Sequence, residues 1–192
     1  MNKTLSNLVT AFVGESQARN RYAFYAKVAK KEGFEQVASI FLETAEQEKT
    51  HAKRLFEHIQ EFQPLPDTIA EINIGKDGFT YKDTVTNLKT AIAGENHEQS
   101  QMYPEFAKIA REEGYDKIAT RLESIAKAEV HHEERYIKLL EQVEAGTVFE
   151  KNEEVIWFCR ECGYMHKGKT PPKVCPACDH AQAYYQLENE KY

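Results

Sequence analysis

Cysteine is missing from the first 158 of the 192 residues; all four fall near the C-terminal end, as Cys159-x-x-Cys162 and Cys175-x-x-Cys178. That excludes a disulfide framework for the bulk of the chain, and paired CxxC knuckles without a secretory pattern read as metal ligands. No apolar run approaches the roughly 18–20 residues that span a bilayer, so no membrane partner is expected. The opening segment sets Leu5, Leu8, Val9 and Phe12 among polar residues and reads as an amphipathic helix rather than a signal peptide, which makes the cytoplasm the default location. Positive charge is short as well: 25 Lys and Arg against 31 Asp and Glu leave a net charge of -6, which argues against non-specific nucleic-acid binding. What is abundant is the mixture of 41% hydrophobic and 29% charged residues that marks a globular protein with charged helix surfaces.

The few glycines and prolines punctuate four helical patterns. These run from Thr4 to about Lys31, Glu35 to about Phe62, Tyr81 to about Glu112 and Asp116 to about Ala145, with breaks at Gly33, Gly114 and Gly146. Each is about 42–48 Å long. Short glycine turns make antiparallel hairpins, whereas residues 63–80, with Pro64, Pro66, Gly75 and Gly78, form a connection able to stretch up to about 60 Å. It can cross the whole bundle, as the one long crossover of ferritin-like four-helix folds does. Residues 1–146 are therefore expected to be the bundle, 147–154 a short polar linker and 155–192 a small metal-bound module. The fold class is mainly α with a small β module.

The two hairpins are an internal repeat. Tyr22, Ala26, Gly33, Glu48 and His51 recur as Tyr103, Ala107, Gly114, Glu129 and His132, shifted by 81, whereas Gly14-Glu15 matches Gly94-Glu95 with a shift of 80. One residue has been added between Glu95 and Tyr103, and a single insertion in a helix is usually absorbed as a π-bulge, which is expected here.

Two Glu-x-x-His units, Glu48/His51 and Glu129/His132, lie on the apolar seams of their helices. One seam runs Val37, Phe41, Thr44, Glu48, His51, Leu55, and the other Ile118, Leu122, Ile125, Glu129, His132, Tyr136. A lone Glu on a charged helix is ordinarily solvated, but ionisable groups on a buried seam are costly unless paired or bound to metal. Glu15 lies 18 residues before Gly33 and Glu48 lies 15 after it; Glu95 lies 19 before Gly114 and Glu129 lies 15 after it. Folding the hairpins thus brings four carboxylates and two imidazoles to one level, the dinuclear carboxylate arrangement of helical bundles. Such oxygen-rich, partly imidazole ligation suits iron or manganese. Glu98, three residues after Glu95, adds a fifth carboxylate; against two divalent cations, five ionised Glu leave about one excess negative charge, which favours the higher oxidation state. His97 and His131 are expected at the surface, and His58 is expected to cap or be solvated. Tyr22 and Tyr103 are core aromatics whose hydroxyls could bond the outer carboxylates.

Two knuckles separated by 12 residues give a tetrahedral S₄ site that suits zinc or iron equally. Gly163-Tyr164 after the first, Pro176 inside the second, and Trp157, Tyr184 and Tyr185 resemble rubredoxin, whose single iron passes one electron at a time. Together with Gly14-Glu15-Ser16-Gln17-Ala18-Arg19, Glu48-x-x-His51-Ala52-Lys53-Arg54-Leu55, Gly94-Glu95-Asn96-His97-Glu98 and Glu129-x-x-His132-Glu133, the chain resembles the rubrerythrins over essentially its whole length.

The resemblance implies a non-haem di-iron peroxidase that reduces hydrogen peroxide to water in oxidative stress protection. By position, Glu48 and Glu129 would bridge two irons, with Glu15, Glu95 and His132 terminal. Glu98 and His51 would be alternative ligands to one iron, Glu98 when oxidised and His51 when reduced, and Cys159, Cys162, Cys175 and Cys178 would hold a third iron. Electrons would arrive from NAD(P)H through a reductase or a small rubredoxin. Members form homodimers or higher homo-oligomers in which the cysteine module of one chain approaches the di-iron site of another. The rival readings are a ferroxidase or iron-handling protein, and a zinc-ribbon interaction module on an inert bundle.

Overall fold

A computed structural model describes residues 2–72 and 76–188; Met1, Gly75 of the expected connection and the last four residues of the expected C-terminal module lie outside the described residues. Helix α1 spans Lys3–Lys31 and α2 spans Glu35–Gln60; α3 covers Thr84–His97, a π-helical turn follows at Glu98–Met102, and α4 continues over Tyr103–Glu112. Helix α5 is Asp116–Glu144. The main packing is α1 on α2, α4 on α5 and α3 on α5, so α3, the π turn and α4 together act as one member of a four-helix bundle.

The glycine breaks are Schellman caps. At Gly33 (φ 85°) the Phe34 amide donates to the Ala29 carbonyl at 2.8 Å, and at Gly114 (φ 85°) the Tyr115 amide donates to the Ala110 carbonyl at 2.8 Å. The third helix starts three residues later than its periodicity predicts. The buried Asn87 side chain accepts from the Lys82 amide at 2.9 Å and donates to the Lys82 carbonyl at 2.8 Å, holding that residue out of the helix, and Asp83 caps the Thr86 amide at 2.8 Å.

The two corners close each other. Glu113, at the second turn, accepts from the Thr4 amide at 2.9 Å and the Thr4 hydroxyl at 2.7 Å at the start of α1. Glu32, at the first turn, accepts from the Thr84 amide at 3.0 Å at the start of α3. Phe62, just past α2, packs against Tyr115 with the ring centroids 5.0 Å apart and the rings tilted by 50°. The segment between α2 and α3 therefore runs from the Gly114 end of the bundle to the Gly33 end.

Core side chains form two apolar clusters. One, with Tyr22, Tyr25, Phe41, Leu88 and Tyr136, lies toward the Gly33 end. The other, with Leu8, Leu55, Tyr103, Ile118 and Leu122, lies toward the Gly114 end. The acids occupy the layer between them.

After the bundle, strands β1 (Val155–Cys159), β2 (Met165–Gly168) and β3 (Tyr185–Leu187) form an antiparallel sheet in the order β2-β1-β3. Trp157 is buried in it and donates to the Gly168 carbonyl at 2.9 Å. In the connecting segment, Lys151 is fastened on both sides: its ammonium donates to Gln142 at 3.0 Å and its amide to the Lys169 carbonyl at 2.9 Å. The module rests on the first hairpin, with β3 and the preceding 3₁₀ turn (Gln182–Tyr184) against α2. No helix among the described residues is long and apolar enough to cross a membrane.

Candidate metal centres

Each bundle helix contributes to the central layer. Glu15, Glu48, Glu95 and Glu129 are fully buried. Two ligand groups result: Glu15, Glu48, His51 and Glu129 in one, and Glu48, Glu95, Glu129 and His132 in the other, with the donor atoms of each within 4.8 Å of one another. Glu48 and Glu129 belong to both, which is where bridging carboxylates would stand.

The arrangement is nearly two-fold symmetric. His51 Nδ1 lies 2.9 Å from Glu48 and 3.0 Å from Glu129, with Glu15 at 3.9 Å. His132 Nδ1 lies 2.7 Å from Glu129 and 3.1 Å from Glu48, with Glu95 at 3.6 Å. The tyrosines cross between helices: Tyr22 donates to Glu95 at 2.5 Å, and Tyr103 donates to Glu15. Each outer carboxylate is thus oriented by a buried phenol.

Glu98 does not join either group. It is half-buried at the first position of the π turn, where the Tyr103 amide donates to its carbonyl five residues back. The expected bulge is present, and Pro104 supplies part of its cause, since proline cannot donate to the carbonyl four residues earlier. Glu133 holds the turn from α5, accepting from Asn96 at 2.9 Å and Gln99 at 3.2 Å on either side of Glu98.

Charge crowding shapes the site. Burial, then the fields of Glu48, Glu98 and Glu129, push the Glu15 carboxyl up, and burial followed by Glu95 and its neighbours does the same to Glu98. Burial likewise holds Glu95 at about 8, despite the bond from His132. Burial opposes charge on Glu48 too, but hydrogen bonds from His132 and His51 bring it down to about 2. Burial would lower both imidazoles, yet the flanking carboxylates raise His51 to about 9 and His132 to about 12. This is an anionic cluster that demands positive charge at its centre. Glu15 Oε2 is buried with no hydrogen-bond partner, and the inner oxygens of Glu48, Glu95 and Glu129 have only the two imidazole nitrogens for close neighbours, so the donor set fits two cations.

The cysteine knuckles are two copies of one turn. The Cys159 amide donates to the Tyr164 carbonyl at 2.9 Å and the Cys175 amide to the His180 carbonyl at 2.8 Å, with positive φ at Gly163 (78°) and Asp179 (60°). Cys159 and Cys178 sulfurs are 3.8 Å apart and those of Cys162 and Cys175 are 3.7 Å apart. A disulfide would need about 2.05 Å. Thiolates about 2.3 Å from a tetrahedral ion stand about 3.8 Å apart, so the four sulfurs fit one metal. Burial works against the Cys175 thiolate, but bonds from the Tyr185 hydroxyl and the Ala177 amide bring it down to about 6.

Among the remaining histidines, His97 and His131 are exposed as expected. His58 is not solvated: it is buried in the last turn of α2, with Nδ1 3.0 Å from Glu61. The sequence reading assigned no role to Glu133, although it lies within a matching motif, nor to Pro104 or the Gln47 side chain, whose Oε1 lies 3.0 Å from His132 Nε2. Pairing each residue with its repeat counterpart is the signal that would have found them, because Ala52, Ala23 and Ala128 stand at the matching positions.

Residues 6–140 match the family model described as rubrerythrin, and residues 157–186 match that of the rubrerythrin rubredoxin-like domain. Rubrerythrin-1 of Clostridium acetobutylicum is 51% identical over 99% of this chain and 96% of its own. Rubrerythrin of Porphyromonas gingivalis is 49% identical over 100% of this chain and 92% of its own. Among solved structures, fully reduced, all-ferrous nigerythrin aligns with a TM-score of 0.64 at 30% identity, covering 96% of this chain and 86% of that one. A paired carboxylate–histidine cluster that fits di-iron, a four-cysteine cluster that fits a rubredoxin-type iron, and these full-length likenesses together make the chain a member of the rubrerythrin family.

Proposed function

We propose that the protein reduces hydrogen peroxide to water, using electrons that start on NAD(P)H and pass through the cysteine-bound iron of residues 155–192 to the bundle of residues 1–146. The observation that carries this reading is the pair of ligand groups sharing Glu48 and Glu129, joined in one chain to a thiolate site. Two ferrous ions in the bundle would supply both electrons for peroxide cleavage, and a thiolate-bound iron would reload them one at a time.

The chain's own residues have definite tasks in this scheme. Glu48 and Glu129 would bridge the ions, Glu15, Glu95 and His132 would be terminal ligands, and His51 and Glu98 would alternate; His51 stands in a ligand group and Glu98 outside both. Tyr22 and Tyr103 hold the outer carboxylates in orientation. The two apolar clusters above and below the layer exclude water from the reacting face.

A homodimer belongs to the proposal. The cysteine module rests beside Gly33, with Ala183 at 4.0 Å from the position a Cβ would take there. Glu48 lies about 22 Å further along α2, by the rise of 15 residues. A second copy lying head to tail would bring its module closer to the bundle site. The donor would be a reductase or small rubredoxin, and the setting cytoplasmic.

Stopped-flow mixing of the anaerobic diferrous protein tests the reaction: oxidation should be faster with H₂O₂ than with O₂. The reverse order would favour ferroxidase activity. Visible absorption of the oxidised protein tests the thiolate site, because ferric S₄ is coloured and zinc is not.

A further inference from the structure

The two phenols that orient the outer carboxylates have unlike surroundings. On the Gly33 side, Tyr22 donates to Glu95 at 2.5 Å, and its ring centroid lies 5.5 Å from that of Tyr136, 6.0 Å from Phe41 and 6.2 Å from Tyr25. Phe41 is in turn 5.1 Å from Tyr136 and 5.6 Å from Tyr25, so four buried rings form one contact group. Tyr25 leads outward: its hydroxyl donates to the Thr80 carbonyl at 2.8 Å, and its ring lines a surface hollow of about 330 Å³ with Arg21 and Phe24. On the Gly114 side, Tyr103 makes the matching bond to Glu15. There, however, Leu122, Leu55 and Phe106 stand at the counterparts of Phe41, Tyr136 and Tyr25. No aromatic ring pairs with Tyr103 among the described residues.

We propose that Tyr22 is a reserve electron donor: when peroxide meets the bundle site with only one of its two irons ferrous, Tyr22 supplies the second electron and Tyr25 carries the oxidising equivalent to the surface. The inference rests on the di-iron reading above, in which a thiolate-bound iron reloads the bundle one electron at a time and so passes through a half-reduced site. One electron alone would split peroxide into hydroxide and a hydroxyl radical. With a tyrosine as second donor, one H₂O₂, one ferrous ion, one phenol and one proton give two waters, one ferric ion and one tyrosyl radical. The O–O bond breaks, and the Tyr22 proton moves to Glu95 along the existing hydrogen bond as the electron leaves the ring. Tyr22 is then restored by an electron from Tyr25 and the returning proton, while Tyr25 sheds its own proton at the hollow. Rings in contact allow that second transfer; Tyr103, without such neighbours, would hold the radical beside the ligands.

The test takes the full-length, iron-loaded protein, reduces the bundle site by half, checks its mixed-valent electron paramagnetic resonance, and freezes it just after mixing with one equivalent of H₂O₂. The parent should show a narrow organic radical whose splitting collapses when the tyrosines carry ring deuterium. Tyr22→Phe should lose that radical and release hydroxyl radical to a spin trap, whereas Tyr103→Phe should keep it. Tyr25→Phe, which touches no ligand, should leave the radical on Tyr22, where the neighbouring iron broadens its line. A parent without a tyrosyl signal, a signal surviving Tyr22→Phe or lost in Tyr103→Phe, or an unchanged line in Tyr25→Phe overturns the relay. In each of those cases the mixed-valent spectrum leaves the di-iron reading standing. If half-reduction of the loaded parent gives no mixed-valent signal, that reading falls and the relay with it.

Discussion

The two candidate metal centres are built in opposite ways. The cysteine site takes its ligands from two local turns in a module with a small core, essentially Trp157, Tyr185 and the cysteines themselves. The carboxylate site takes its ligands from four helices, and the apolar clusters on either side hold those helices independently of any ion. The difference teaches which site shapes its surroundings. A module of about 35 residues buries too little to fold alone and leans on its metal, whereas the bundle imposes geometry on the ions it receives.

The largest effect should come from Cys175→Ser. Losing one thiolate removes metal-linked folding free energy that reaches about 10 kcal/mol in comparable thiolate sites. Backbone NMR signals of residues 155–188 should collapse while far-UV helix content persists. NAD(P)H-driven peroxide turnover should vanish, and the single turnover of pre-reduced protein should survive. If helix and sheet signals were lost together, the contrast between the two modules would be gone.

A smaller effect is expected at the π turn. Deleting Ser100 together with Pro104→Ala should restore regular hydrogen bonding and rotate Glu98 about 100° around the helix. Misplacing one ligating group should slow peroxide oxidation of the reduced protein about 10- to 100-fold, with helicity unchanged. A rate equal to the parent's would remove Glu98 from the site.

The smallest effect concerns the corner caps. Glu113→Ala leaves the Thr4 amide without its acceptor and should lower stability by about 0.5–1 kcal/mol at pH 7, the lower end being favoured at an exposed site. That is about 1–4 °C in Tm for a chain of this size. The Glu113 carboxyl is held below its ordinary value by the bonds from Thr4. Its contribution is therefore complete above the unfolded value, about 4.3, and is lost as pH falls through the lowered folded value. Thermal melts of parent and variant should accordingly converge toward about pH 3.

Much of this organisation was legible in the chain. The repeat exposed the paired acids because helical spacing is rigid, and the change in shift from 80 to 81 located the bulge. The knuckles needed only their spacing. What could not be read depends on partners distant in sequence. Asn87 delays α3 through a contact with Lys82 that competes with helical periodicity. The burial of His58 and the Gln47–His132 bond exist only because α2 packs where it does. Periodicity tells which face a side chain is on, not which neighbour waits there.

Trp157, the sole indole in the chain, sits in the three-stranded sheet with its N–H on the Gly168 carbonyl and the Lys151 ammonium 5.8 Å from its ring. Its fluorescence therefore reports on the cysteine module alone, while circular dichroism is dominated by the bundle. One sample carries two separable optical clocks, so the order in which the two parts come apart can be timed in a single denaturation, without any label.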